Sequence, residues 1–326
     1  DPTKTLMRIY RAFNERQDPS AVQSAQDIFL QLEQGDPESV ELWTDFRKWS
    51  LRDFGPIYER LRIEFDAIQG ESFYEDRMMP VIEEALEAGV LKVNNEGAVV
   101  FPSQTLTDPL TGVENDKVML DHNGQPRDEV VLKPSGGTVY LTRDLAAIRY
   151  RRQELGADRI LYVIGKEQQT HCLELFTIAH QLGYMALGRA EHISFGHLNI
   201  DGRKMKSRSG KVALLNDMLD DSIDTAGQML DQRIEEQGSN VEMTDEEKAE
   251  ILRKIGISTL VFNDLKQDRR RDIAFEPDMV KTLEAGRATY IQYTDARISR
   301  LLEKVGDPGE LITMPTNLSN EERAII

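Results

Sequence analysis

Between Thr138 and about Leu214 short apolar runs alternate with segments of helical character. That alternation admits few folds, because strands separated by helices must cross over and lie parallel in one sheet with helices against it. Val139 to Leu141 leads into a helix through Gln153, closed by Gly156. Arg159 to Ile164 reads as a strand, Cys172 to Leu182 as a helix closed by Gly183, and Ile193 to Leu198 as the next strand. The whole apolar run Ile193 to Ile200 reads as buried. Ligands in such sheets bind outside the carboxyl ends of the strands. Tyr140, Asp144, Gln168, His171 and the loop after Ile200 all fall there.

That loop, Gly202-Arg203-Lys204-Met205-Lys206-Ser207-Arg208-Ser209-Gly210-Lys211, crowds cations, hydroxyls and glycines into one connection. Lys and Arg neutralise phosphate charge, Ser and backbone N–H groups donate hydrogen bonds, and Gly lets the backbone approach closely. A solvated surface loop has the same composition, so the neighbourhood has to decide.

The rest of the chain is mostly helical. Residues 1 to about 62 carry Leu6, Ile9, Tyr10 and Phe13 at helical spacing, followed by Leu42, Phe46, Trp49, Leu51 and Phe54. Asp36 is placed as an N-cap with Pro37 at the first helical position. Residues 79 to 90 predict a helix and Gly97 to Phe101 a strand. Pro102 to Lys133 turns polar around Asp108-Pro109, Thr111-Gly112 and Asn123-Gly124, the signature of a hairpin-bearing surface insertion. Asn216 to Glu236 predicts a long helix, Thr244-Asp245-Glu246-Glu247 is a capping box, and the chain turns helical again from Asp278.

The 326 residues, 40% of them hydrophobic, suffice for two cores. The single cysteine, Cys172, excludes an internal disulfide and fits a reducing, cytoplasmic setting. No stretch is apolar enough to span a membrane. A net charge of -17 argues against indiscriminate nucleic-acid binding, so an RNA partner must be met by local patches such as Arg149, Arg151 and Arg152, or Lys266, Arg269, Arg270 and Arg271. No second ligand stands at metal spacing from His171 or His192, so no metal site is expected.

Tyr140-Leu141-Thr142-Arg143-Asp144, Tyr162-Val163-Ile164-Gly165-Lys166-Glu167-Gln168-Gln169-Thr170-His171, His192-Ile193-Ser194-Phe195-Gly196 and the basic loop follow in the order and spacing of one family. They resemble the second half of the catalytic domain of class I arginyl-tRNA synthetases. Gly70-Glu71-Ser72-Phe73-Tyr74 resembles a segment that family carries upstream, and Tyr290-Ile291-Gln292-Tyr293-Thr294-Asp295-Ala296-Arg297-Ile298 resembles the opening of its helical anticodon-binding domain.

The resemblance implies two-step aminoacylation, with arginine, ATP accompanied by Mg2+, and tRNA(Arg) as partners. It places Tyr140, Asp144 and Gln168 on the arginine. A guanidinium that cannot lose its proton needs a carboxylate in fork geometry, and Tyr140 and Asp144 share a helix face if the segment is helical. His171 is placed near the nucleotide, and the backbone of His197-Leu198 where the adenine ring is read. Lys206 is placed on the leaving pyrophosphate, with Ser207, Arg208 and Ser209 assisting, and Tyr290, Tyr293 and Arg297 face tRNA.

The implied fold is α/β: a helical connective region with a β-rich insertion over 1–132, the second half of a Rossmann-like parallel sheet over 133–214, a helical stem-contact region over 215–277, and the beginning of a helical anticodon-binding domain over 278–326. The His-x-Gly-His signature of class I enzymes does not occur in the sequence. The expectation is therefore an internal fragment of a longer synthetase, inactive alone, with a monomer as the candidate full-length state. Two alternatives stand beside it: a catalytically inactive paralogue serving as an RNA-binding or regulatory module, which the same absence would explain, and another nucleotidyl-transferring enzyme of the same fold, for which the Tyr140, Asp144 and Gln168 set would be unnecessary.

Overall fold

The computed structural model describes residues 2–16, 18–107, 114–119, 123–200, 203–204, 215–237, 243–275 and 287–305. The chain divides into two compact units, Asp1–Val212 with Gln267–Ala274, and Ala213–Lys266 with Phe275–Ile326.

The first unit opens with helices α1 (Pro2–Arg16), α2 (Pro19–Glu33) and α3 (Pro37–Leu61). The two later starts share one chemistry: the Asp18 carboxylate accepts the Ser20 N–H and the Asp36 carboxylate the Ser39 N–H, each at 3.0 Å, with proline following each aspartate. Neither α1 nor α3 buries a residue. Several of their apolar positions, Tyr10 and Phe54 among them, are exposed.

The core of this unit begins beyond them. Helix α4 (Glu75–Glu87) buries Met78, Val81, Ile82 and Ala85, a stripe with helical period. Next come β1 (Lys92–Val93) and β2 (Val99–Phe101), then the antiparallel hairpin of β3 (Thr105–Thr107) and β4 (Glu114–Val118), and β5 (Glu129–Leu132), which returns antiparallel to β2. The polar insertion is thus a hairpin plus a strand added to the core sheet. Val100, Phe101 and Val131 anchor it, all fully buried.

Helix α5 spans Tyr140–Gln153. The Val139–Leu141 run does not form a strand: the Thr142 hydroxyl accepts the Val139 N–H at 3.2 Å and donates to the Val131 carbonyl, closing the first helical turn immediately after Val139. Strand β6 (Ile160–Gly165), a 3-10 turn (Lys166–Gln168), helix α6 (Gln169–Gln181) and strand β7 (Ala190–Phe195) complete a βαβ unit. β6 and β7 pair parallel from Ile160 opposite Ala190 to Gly165 opposite Phe195. α6 is buried continuously from Cys172 to Ala179, as a helix at the centre of a core must be. Gly156 and Gly183 follow α5 and α6 in the left-handed conformation, φ 69° and 72°, which only glycine adopts without cost.

The run Ile193 to Ile200 is neither one strand nor buried. β7 ends at Phe195, itself 45% exposed, and β8 (Leu198–Ile200) begins a separate sheet with β9 (Arg203–Lys204) and β10 (Ile273–Phe275). The cause is an incoming segment. The Gly196 N–H donates to the Arg269 carbonyl and the Ile273 N–H to the His197 carbonyl, both at 2.8 Å. A Cβ at Gly196 would lie 2.2 Å from the Arg271 oxygen, so only glycine lets the two backbones meet.

The second unit holds α7 (Leu215–Gln237), α8 (Asp245–Leu265) and α9 (Ala288–Val305). α8 opens with the expected capping box: the Thr244 Oγ1 accepts the Glu247 N–H at 3.2 Å, and the Glu247 carboxylate accepts the Thr244 N–H at 2.8 Å. α7 and α8 approach closely at Gly256, where a Cβ would stand 2.8 Å from the Ile223 backbone. α9 is fastened to α8 by the Gln292 amide donating to the Ser258 hydroxyl at 2.7 Å. Of the helix expected from Asp278, residues 278–286 lie outside the described residues.

Candidate active site

Two clusters form where β6 and β7 end. The first joins the opening turns of α5 and α6. Tyr140 and Asp144, four residues apart on α5, project from one helix face, and His171 reaches them from the first turn of α6. The His171 Nε2 lies 2.7 Å from an Asp144 oxygen, and both side chains are 19% exposed. The His171 ring centre is 4.9 Å from that of Tyr140, with the planes 38° apart. Burial pushes the Tyr140 phenol above its usual range, assisted by Asp144, Glu71 and Cys172. Burial, with Asp144 second, pushes the Cys172 thiol up to about 12, so it is a neutral apolar group and no nucleophile.

One turn further along α6, Glu174 is buried and receives the Arg127 guanidinium at 2.8 Å, while Arg127 also pairs with Glu129 at the start of β5. This ties the insertion to the helix that carries His171. Burial raises the Glu174 carboxyl, and Arg127 and then His171 act against that rise. On the other side Arg143 pairs with Glu71 at 3.4 Å, which brings the Gly70–Tyr74 segment beside the site.

The second cluster surrounds the Gly196-His197 turn. Asp272 Oδ1 accepts the Lys166 ammonium at 2.6 Å and the His197 backbone N–H at 2.9 Å. The His197 ring pairs with Glu167. The turn after β6 is thereby locked to the turn after β7 through a residue from the far end of the sequence. His192 serves the sheet instead, its Nε2 standing 3.1 Å from the Ile164 carbonyl oxygen.

Gln168 occupies the N-cap position of α6, exposed, and its side chain makes no capping bond. Leu198 opens β8 beside His197. Lys206, Ser207, Arg208 and Ser209 lie outside the described residues; of the basic loop, Arg203 and Lys204 are described, as β9. In the second unit Tyr290, Tyr293 and Arg297 share one face of α9, the tyrosines 44% and 48% exposed and the Arg297 guanidinium 5.6 Å from the Tyr293 ring centre. Among the described residues no group of three or more His, Cys, Asp or Glu could hold a metal ion, and no helix is long and apolar enough to cross a membrane.

The sequence singled out Tyr140, Asp144, Gln168 and His171, but not Asp272 or the Arg127–Glu174 pair as members of the site. Asp272 is 106 residues from Lys166 and Arg127 47 from Glu174, so neither pairing leaves a local signal.

A carboxylate faced by an aromatic ring at the start of one helix, beside a locked turn at the carboxyl end of a parallel pair, suits a flat cationic substrate next to a nucleotide. Residues 1–277 match the family described as tRNA synthetases class I (R), catalytic domain. Arginine–tRNA ligase 1 of Bacillus cereus is 36% identical over 306 residues, covering 93% of this chain and 50% of that protein. The arginine–tRNA ligase of Lactobacillus acidophilus is 33% identical over 312 residues, 95% of this chain and 51% of that protein. In fold the chain is similar to the arginyl-tRNA synthetases of Plasmodium falciparum (TM-score 0.66, 21% identity, 90% of this chain and 46% of that one) and Thermus thermophilus (0.62, 19%, 92% and 53%). The chain spans about half the length of the curated relatives it matches. On this match, over most of its length, the chain belongs to the class I arginyl-tRNA synthetase family.

Proposed function

We propose that this chain supplies part of the arginine pocket and part of the ATP site of an enzyme that activates arginine to arginyl-adenylate and transfers it to tRNA(Arg). The observation that carries the reading is the Tyr140, Asp144 and His171 cluster, a carboxylate and an aromatic face set for a planar cation. Asp144 takes the guanidinium, Tyr140 packs against it, and Gln168, at the turn entering α6, reaches the same ligand. The His197-Leu198 backbone reads the adenine, with His171 between nucleotide and amino acid. That role is supported by the Asp272 bond, which fixes the His197 N–H at 2.9 Å.

In the first step the arginine carboxylate attacks the α-phosphorus of ATP and pyrophosphate leaves. Such a displacement is accelerated by positioning and by stabilisation of charge. Lys206, aided by Ser207, Arg208 and Ser209, offsets the charge on the leaving pyrophosphate, with Mg2+ brought by ATP. A tRNA hydroxyl then captures the adenylate. Tyr290, Tyr293 and Arg297 form the tRNA-facing stripe, which their shared exposed face on α9 supports.

The division of labour follows the sequence: connective region 1–132, catalytic sheet 133–214, stem contact 215–277 and anticodon-binding domain from 278. The match to the catalytic-domain family ends at residue 277, which supports the last boundary. The setting is cytoplasmic.

The test is arginine-dependent ATP–pyrophosphate exchange by the family-length protein with and without Asp144→Asn. Leaving the guanidinium without its countercharge costs about 2 to 5 kcal/mol, so the arginine KM should rise by more than tenfold while the ATP KM holds. Exchange whose arginine dependence ignores the substitution removes Asp144 from the substrate site. A chain that supports no exchange at any arginine concentration in the family-length protein favours the inactive paralogue.

A further inference from the structure

The His171 imidazole meets both groups that a guanidinium would need. It is planar, its Nε2 lies 2.7 Å from an Asp144 oxygen, and its ring lies 4.9 Å from the Tyr140 ring. Carboxylate and aromatic face are the two surfaces that suit a flat cation. We infer that His171 is a built-in stand-in for the substrate's side chain, holding the Asp144 carboxylate in the free chain and giving it up when arginine enters. The inference rests on the arginine reading above and deepens it by naming the residue that guards the pocket.

Two physical points favour exchange over joint occupancy. Asp144 is only 19% exposed, and a carboxylate so placed with no partner loses solvation without return, so the empty pocket needs a donor of its own. A bidentate guanidinium needs both carboxylate oxygens, of which His171 holds one. The exchange also discriminates. An ammonium satisfies the carboxylate as a point charge but leaves the Tyr140 face uncovered, and a neutral urea-like side chain brings the carboxylate no countercharge.

The charged and titratable groups around His171 are Tyr140 and Asp144 on α5, Cys172 and Glu174 on α6, Arg127 behind Glu174, and Glu71 beyond Tyr140, paired with Arg143. Tyr140 and Cys172 stay neutral through the physiological range.

The experiment is calorimetric titration of L-arginine into the family-length protein, native, His171→Ala and His171→Asn, with circular dichroism to confirm that the variants fold. The expected result is His171→Ala binding arginine several-fold more tightly than the native protein, since nothing then has to leave the Asp144 carboxylate. Weaker or unchanged binding by both variants overturns the stand-in and makes His171 a supporting residue. If neither the native protein nor His171→Ala binds arginine, the arginine pocket itself fails and this inference with it.

Discussion

Glu174 shows how a single buried charge can be read in terms of pH. It is 2% exposed, and its carboxyl is raised first by burial, against the pull of Arg127 and His171. A carboxyl raised in the folded state above its unfolded value adds stability below the ordinary Glu range and loses it as pH rises through the folded value. Replacing it by Gln removes that dependence and keeps the shape, while Arg127 retains Glu129. Urea midpoints measured from pH 4.5 to 7.5 should show the native chain losing stability relative to Glu174→Gln as pH rises. A difference that moves the opposite way would mean that the Arg127 pair outweighs burial. Residues were legible in the sequence where chemistry and spacing coincided locally: Tyr140 and Asp144 lie four apart, and a helix puts them together. Arg127 and Asp272 were not, since their partners come from distant segments and an isolated Arg or Asp looks like any solvated residue.

Elements were legible where their ends carry capping chemistry. Asp36 before Pro37 and Thr244 with Glu247 start α3 and α8 in the expected way, and the same Asp-Pro signal, Asp18 before Pro19, starts α2. Gly156 and Gly183 likewise marked the ends of α5 and α6. What escaped was the break at Gly196, because nothing local in His192–Ile200 announces that Arg269–Ile273 will dock there. Contact at the element scale also sets a test in the second unit. By intrinsic helix propensity, Gly256→Ala in α8 should stabilise by about 1 kcal/mol. The added Cβ would meet the Ile223 backbone at 2.8 Å, and such overpacking costs about 1 to 3 kcal/mol, at the high end where backbone must move. Packing therefore wins: Gly256→Ala should lower the thermal midpoint of this unit, while Gly227→Ala on α7, whose Cβ would meet only a flexible Leu252 methyl at 3.5 Å, should be near neutral or stabilising. Equal midpoints for the two variants would refute the close crossing.

At the scale of the whole molecule, the alternating pattern gave the α/β class and the parallel β6–β7 pair, but it also implied buried strands, and here the outcome differs. Ile160 and Tyr162 face the core, whereas Leu161 and Val163, 50% and 63% exposed, share the opposite face with Phe195, which pairs in register with Gly165. A parallel sheet is ordinarily covered on both faces, so its strands read as continuously apolar, and this sequence has that character even where one face is open. An open apolar sheet face binds hydrophobic probes and favours association. Leu161→Thr with Val163→Thr keeps residues suited to strands while removing that surface, and substitutions at exposed strand positions usually change stability by less than about 0.5 kcal/mol. The double variant should bind less of the dye ANS and sediment with less self-association than the native chain, at the same helix content by circular dichroism. Undiminished dye binding with an intact fold would place the adhesive surface elsewhere, and the exposed positions of α1 to α3, Tyr10 and Phe54 foremost, would be the next to change.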